Sequence, residues 1–378
     1  MIFCQRHLFS IPEEVTYLNC AFTAPLLDSA QAAGRSALQA KQAPWTIAAQ
    51  DFFDITEAVR KLFAALINCP ADHVAIIPAV SYGIALAAKN IAVGEGERIV
   101  LLEDQFPSNV YSWQQVAAAQ NAIINTVQRP LNSDWSAAVL DTIDDSTAVV
   151  AVPNCHWTDG TLLDLVRIGQ KCRAVDAALV VDGSQSLGAM PLAVDTVQPD
   201  FLVTAAHKWL LGPYSYGFCY VAPRWHNGEP LEENWMNRAG SEDLSRLVDY
   251  QKNYQPGARR FDVGEVSNFI LAPIARAALQ QLLQWRVEEI SVRLQAITAA
   301  IAERAGRLGL RICPANLRSP HLIGLTLRDG KAKELAAQLN AENIFVSVRG
   351  NSIRIAPHLY NTHADIDRLF SVLEASLR

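Results

Sequence analysis

The chain has no closely spaced pair of cysteines. Its seven are scattered along 378 residues and odd in number, which argues against a disulfide framework and against a metal knuckle, and favours a reducing compartment, the cytoplasm. Basic runs are missing too: 32 Lys and Arg stand against 38 Asp and Glu, a formal net charge of −6. Such a surface offers no footprint for nucleic acid or an anionic membrane, so any small anionic ligand must be met by local groups. Long apolar runs are absent as well. The uncharged apolar stretch 74–88 contains Pro78 and Gly83, and the first residues, MIFCQRHLFSIPEE, acquire charge before an apolar segment builds. Neither a signal peptide nor a membrane span is expected. The sequence holds no internal repeat, no low-complexity segment, and no dinucleotide-type or Walker-type glycine pattern in a strand-to-helix turn.

What is present is ample core. Half of the residues are hydrophobic, and the length allows a large domain with a smaller one. Short apolar, β-rich runs at 73–78, 98–102, 122–127, 148–152, 178–181 and 201–204 alternate with helical patterns, which predicts a mainly parallel sheet buried on both faces. From 267 to 307 the spacing of leucine and alanine is helical, with no proline after Pro273, and reads as a long connection to the second unit. The tail then predicts a strand (322–327), a helix (331–341), two strands (344–348 and 352–356) and a helix (364–377). The loop 227–257, rich in charge and Asn, is a candidate lid or partner-contacting segment.

The segment 178–221 carries the most chemistry. Asp182 ends the apolar run Ala-Leu-Val-Val, and Lys208 follows the run Phe-Leu-Val-Thr-Ala-Ala-His, 26 residues after Asp182. In an open α/β sheet, ligands sit beyond the carboxyl ends of the strands, so both side chains should meet at one crevice. A carboxylate there can keep a pyridinium nitrogen protonated, and an amine can condense with an aldehyde. These are the two parts a pyridoxal 5'-phosphate site needs. Ser81-Tyr82-Gly83 opens a helix just after a strand. Ser81 is a good N-cap, and the free backbone amides of that turn can cradle a phosphate.

With these residues the chain resembles the class V aminotransferase family of fold-type I pyridoxal-phosphate enzymes, which also includes cysteine desulfurases, kynureninases and isopenicillin N epimerases. Tyr17-Leu-Asn, Phe106-Pro-Ser-Asn and Arg354-Ile-Ala-Pro-His-Leu-Tyr-Asn-Thr extend the likeness over essentially the whole chain. The resemblance implies a three-layer α/β fold of the aspartate aminotransferase type. Residues 16–260 would form the large cofactor-binding domain; 1–15 and 261–378 would form a smaller α+β domain with a long connecting helix. It further implies a homodimer and pyridoxal 5'-phosphate as cofactor.

Roles follow residue by residue. Lys208 would join the cofactor aldehyde and then shuttle the α-proton, and Asp182 would face the ring nitrogen. His207 and Thr204 would reach the phosphate alongside Ser81 and Tyr82. Gln185 would approach the phenolic oxygen, and Phe106 would stack on the ring. Asn154 or Trp157, in Val-Pro-Asn-Cys-His-Trp, would reach the phenolic edge, with Asn154 chosen of the two. Arg354, in the alternating strand Ser-Ile-Arg-Ile-Ala, would fork onto a substrate α-carboxylate. Asn19 would join it on the substrate side, and Arg349 would add charge to the same pocket. Trp209, Tyr214 and Trp235 suit a bulky substrate or simple packing.

Three departures bear on the reaction. Phe106 stands where desulfurases carry a histidine. No cysteine follows Cys313, whereas desulfurases place a nucleophilic cysteine on a loop before the carboxylate-binding arginine. Glu265, in Arg260-Phe-Asp-Val-Gly-Glu265, occupies a position where family members often offer a threonine to the partner's phosphate, and a carboxylate would repel that group. The expected activity is transamination of an amino acid, with a lyase or an epimerase as alternatives, and a non-catalytic binding protein of the same fold as the rival from another class.

Overall fold

The computed structural model describes residues 2–327 and 330–377. A short strand, β1 (Thr16–Tyr17), precedes helices α1 (Asp28–Ala40) and α2 (Asp51–Leu66). Strands and helices then alternate: β2 (Val74–Ile77), α3 (Val80–Asn90), β3 (Arg98–Leu102), α4 (Tyr111–Gln120), β4 (Ile123–Val127), α5 (Trp135–Thr142), β5 (Thr147–Pro153), α6 (Leu165–Ala174), β6 (Ala178–Asp182), α7 (Val194–Val197), β7 (Phe201–Ala205) and β8 (Gly217–Val221). The chain closes with α8 (Leu271–Trp285), α9 (Val287–Arg307), β9 (Ile323–Thr326), α10 (Ala332–Ala341), β10 (Ile344–Phe345), β11 (Ser347–Arg349), β12 (Ser352–Ile355) and α11 (His363–Ser376).

Seven strands form one sheet in the order β2-β8-β7-β6-β5-β3-β4. The six expected runs are all in it, joined in parallel from β7 to β4. The expectation omits β8, which runs antiparallel to both β7 and β2. Its residues, Gly-Phe-Cys-Tyr-Val, are buried throughout, and Gly217 is required because a Cβ there would collide with Thr204 O on β7. Side chains alternate across the sheet as a pleated strand demands. Leu179 and Val181 of β6 join one apolar cluster while Ala178 and Val180 join the other; Val150 and Val152 of β5 part from Val149 and Ala151 in the same way. Apolar layers on both faces make this a three-layer α/β fold.

The expected single helical connection is two helices parted at Arg286, whose φ is 65°. Trp285 and Val287 are both buried. In an unbroken helix, residues two apart point about 200° apart, so only a break lets both face the core. Beyond it α9 buries Ile290, Leu294, Ile297, Ile301 and Ala305, a regular apolar stripe. The expected strand 344–348 is also two strands with different partners. β10 pairs in parallel with β1, and β11 pairs antiparallel with β12, which pairs in turn with β9. The N-terminal β1 thus docks onto the C-terminal part of the chain. Thr362 caps α11 through a reciprocal pair of bonds with Asp365. Among the described residues no helix is long and apolar enough to cross a membrane.

Candidate active site

The carboxyl ends of β5, β6 and β7 are in register, Pro153 beside Asp182 and Asp182 beside Val203. Just beyond them lies a cavity of about 630 Å³. Lys208 enters it from the connection 206–216 between β7 and β8. Because those strands are neighbours, the connection folds back on itself: Ala206 N donates to Tyr216 O (2.8 Å), Gly212 N to Ala206 O (2.8 Å) and Leu211 N to Lys208 O (3.0 Å). Ala24 N donates to His207 O at 2.9 Å and fixes it to the N-terminal segment. The lysine backbone is therefore held from two sides.

Lys208 Nζ has no hydrogen-bonded or ion-paired partner among the described residues, and it stands 5.2 Å from the Phe106 ring centroid. Burial lowers its pKa to about 8, opposed by Asp182 and assisted by Arg354 and Arg349. Asp182 is buried, and its Oδ1 accepts from Ser184 N at 2.9 Å. Gln185 donates from Nε2 to Ala21 O (3.0 Å) and accepts at Oε1 from Trp209 Nε1 (2.9 Å), so one amide N–H remains free. His207 packs on Tyr214 with centroids 4.6 Å apart. Burial, with Lys208 adding to it, lowers the His207 pKa to about 4, leaving a neutral ring at pH 7.

The end of α3 also meets the cavity. Pro78, Ala79, Val80 and Ser81 line it, and Ala79, not Ser81, is the N-cap, with no side-chain cap bond. Ser81 sits inside the first turn because the chain becomes helical at Val80. The open amides and positive end of an uncapped helix are thus directed at the cavity.

Arg354 comes from β12 and is 1% exposed. Nη1 donates to Trp157 O (2.7 Å) and Nη2 to Ser347 Oγ (3.4 Å), while Nε has no partner. No carboxylate among the described residues pairs with it, and burial lowers its pKa to about 9. A buried, uncompensated guanidinium is a strong demand for an anion.

Ser81, Phe106, Trp157, Asp182, Gln185, His207, Lys208, Arg349 and Arg354 all line this one cavity. Asn19, Tyr82, Asn154 and Thr204 do not. Asn19 accepts from Ser347 Oγ at 2.5 Å and so supports Arg354 from behind. Asn154 is buried beside the cavity, with Nδ2 on Leu163 O (3.5 Å) and Oδ1 unpartnered; Thr204 Oγ1 turns to Ala205 O (3.4 Å). The buried Tyr82 hydroxyl has no partner. Of the aromatic residues noted in the sequence, Tyr214 lines the cavity, Trp209 braces Gln185, and Trp235 packs against Phe52 and Phe53. Glu265 is exposed with φ 58°.

Gln105 and Tyr216, not among the expected site residues, both line the cavity and both carry a buried oxygen without a partner, Gln105 Oε1 and the Tyr216 hydroxyl. Gln105 directly precedes Phe106, which was a usable signal. Tyr216 is brought in by β8, and nothing in the sequence pattern announces it.

The family model described as "Aminotransferase class-V" matches residues 38–369. The chain belongs to the class-V aminotransferase family. It is 29% identical to the uncharacterized aminotransferase YcbU of Bacillus subtilis over 82% of this chain and 81% of that one. It is 25% identical to the isopenicillin N epimerase of Streptomyces clavuligerus, over 84% and 83%. Its fold matches the apo cysteine desulfurase of Thermococcus onnurineus NA1 with a TM-score of 0.87 at 18% identity, over 100% and 99% of the two chains. For a class-V chain the cavity has a consistent logic: an amine, a carboxylate, a helix N-terminus and a buried arginine converge at the strand ends.

Proposed function

We propose that this chain is a pyridoxal 5'-phosphate enzyme that acts on an α-amino acid as an aminotransferase, working as a homodimer in the cytoplasm. The observation that carries the reading is Lys208, an unpaired amine with a pKa near neutrality, set between Asp182 and Arg354 in one cavity. The residues fit the cofactor. Asp182 keeps one oxygen free for a ring nitrogen, the N-terminal turn of α3 suits a phosphate, and Phe106 offers a ring face beside Lys208. When bound, the cofactor supplies an aldehyde and an electron-accepting ring.

The remaining work falls to the chain. Arg354 binds the α-carboxylate of the substrate through its unspent edge, with Ser347 and Trp157 O fixing the plane of the guanidinium. Lys208 Nζ, neutral in part at pH 7, takes the α-proton and returns it. Gln185 and neutral His207 donate hydrogen bonds into the cavity. Trp209, fully buried, holds Gln185 in place. Persulfide chemistry is disfavoured. Cys155 lines the cavity, but burial lifts its thiol to about 12, and β11 and β12 join through Gly350 and Asn351 with no room for a cysteine-bearing loop. The free, partly buried cysteines suit a reducing compartment. Phe22 and Tyr214, 59% and 73% exposed at the cavity, suit coverage by a second copy.

The test is an absorbance spectrum of the purified protein, wild type and Lys208→Ala, before and after a panel of amino acids. A visible band that moves with an amino acid, and that borohydride fixes onto Lys208, supports the proposal. The product then separates the reactions: keto acid without ammonia for transamination, ammonia or a cleaved side chain for a lyase, the D-isomer for an epimerase. A protein that takes up no cofactor refutes the enzyme reading.

A further inference from the structure

Arg349 is left without a role by a single bound carboxylate. In the β11–β12 hairpin, Ser347 lies opposite Arg354 and Arg349 opposite Ser352. Directly opposed residues share a face of a sheet, so Ser347, Arg349, Ser352 and Arg354 stand on one side while Val348 and Ile353 stand on the other. Both arginines line the cavity. Neither is paired with a carboxylate among the described residues. The Arg349 pKa is lowered by burial alone, and Arg349 is the largest neighbouring charge opposing Arg354. A buried and a half-buried guanidinium on one wall, neither of them ion-paired among the described residues, can take two negative charges, and one α-carboxylate supplies only one.

The Arg349 side chain is also set for recognition. Its Cζ lies 5.0 Å from the Trp157 ring centroid, and the indole is pinned by Nε1 donating to Asp104 O at 2.6 Å. Nη1 donates to Val348 O at 2.7 Å, while Nε is buried without a partner. The guanidinium thus stands over an aromatic face with hydrogen-bonding capacity unspent, which suits a fork onto a carboxylate. We infer that Arg349 receives a second carboxylate, carried on the substrate side chain, and that the substrate class is the aminodicarboxylic acids.

This rests on the proposed function, and the test separates the two. The cofactor-loaded protein is titrated calorimetrically with dicarboxylates and monocarboxylates of equal length, succinate against butyrate and glutarate against pentanoate. Its absorbance is followed in parallel with glutamate against norvaline. In wild type the dicarboxylates bind at least about tenfold more tightly, the scale of a charge-assisted fork. Arg349→Gln removes that preference and leaves monocarboxylate affinity within about twofold, and Arg349→Lys retains part of it. The inference is overturned if wild type shows no preference, or if Arg349→Gln weakens both ligand types equally, since the two arginines would then share one carboxylate. If norvaline moves the absorbance as well as glutamate does, the function stands and the inference falls. If no amino acid moves it but an Arg349-dependent dicarboxylate preference persists, the inference stands and the enzyme reading falls.

Discussion

Lys208 should be reactive at neutral pH in the cofactor-free protein, and the size of the effect can be worked out. Its ordinary pKa of 10.5 falls to about 8, chiefly because burial disfavours the ammonium form. At pH 7 about a tenth of such a group is neutral, against about three in ten thousand for an ordinary lysine, a gain of roughly 300-fold in free amine. Competitive acylation of the cofactor-free chain with trace acetic anhydride, read by mass spectrometry, reports the neutral fraction at each lysine. Lys208 should titrate with a midpoint near 8, while the exposed Lys41 serves as the internal reference. Asp182→Asn removes the charge that favours the ammonium and moves the midpoint down; Arg354→Gln removes an opposing charge and moves it up. Stability follows the same sign. Below pH 8 folded and unfolded chains both hold the proton, and the folded chain bears the cost of burying it. Between about 8 and 10.5 only the unfolded chain keeps it, so folding stability rises with pH, by up to about 3 kcal/mol. A Lys208 midpoint near 10.5, or one indifferent to Asp182→Asn, would refute the account of this amine.

Asp262→Ala should destabilise the chain by about 3 kcal/mol in urea unfolding, because it removes the buried carboxylate that pairs with Arg60 Nη2 at 2.6 Å and accepts from Ile76 N, leaving Arg60 only the half-buried Glu57 as a counter-charge; a loss under 1 kcal/mol contradicts this. Gly188→Ala should lower the melting temperature and the cofactor affinity together. Gly188 has φ 96°, and a Cβ there would collide with Trp209 O, next to the lysine. Cys155 should resist iodoacetamide at pH 7.5, and Cys155→Ser should keep wild-type turnover of the substrate amino acid, since a thiol near 12 is neither thiolate nor base there. Rapid alkylation of Cys155, followed by mass spectrometry, would reopen the persulfide route.

The parallel part of the sheet was legible because doubly buried strands are written as unbroken runs of β-branched and aliphatic residues, and β3, β5, β6 and β7 are all of this kind. β8 was not, since Gly-Phe-Cys-Tyr-Val gains its order from pairing with β7 and β2 rather than from any local pattern. The break at Arg286 and the split between β10 and β11 were hidden for a related reason. A single left-handed residue, or a change of partner at Val346, leaves no trace in hydrophobic spacing.

In the candidate site the legible residues are those tied to strand ends, because topology fixes where they emerge. Asp182 ends β6, Lys208 follows β7, and Arg354 alternates with buried isoleucines in β12. Residues whose position depends on rotamer and neighbours were placed less well. Thr204 and Asn19 lie within a few residues of cavity-lining positions, but each spends its side chain on a hydrogen bond outside the cavity, Thr204 to Ala205 O and Asn19 to Ser347 Oγ. Asn19 is instructive: by accepting from Ser347 Oγ, which in turn accepts from Arg354 Nη2, it ties the N-terminal segment to the arginine. A displacement of β1 against β10 would therefore move the anion site itself. Asn19→Ala should accordingly raise KM for the amino acid more than it lowers kcat, while leaving the Lys208 acylation midpoint unmoved. A fall in kcat at constant KM would instead place Asn19 in the proton-transfer step.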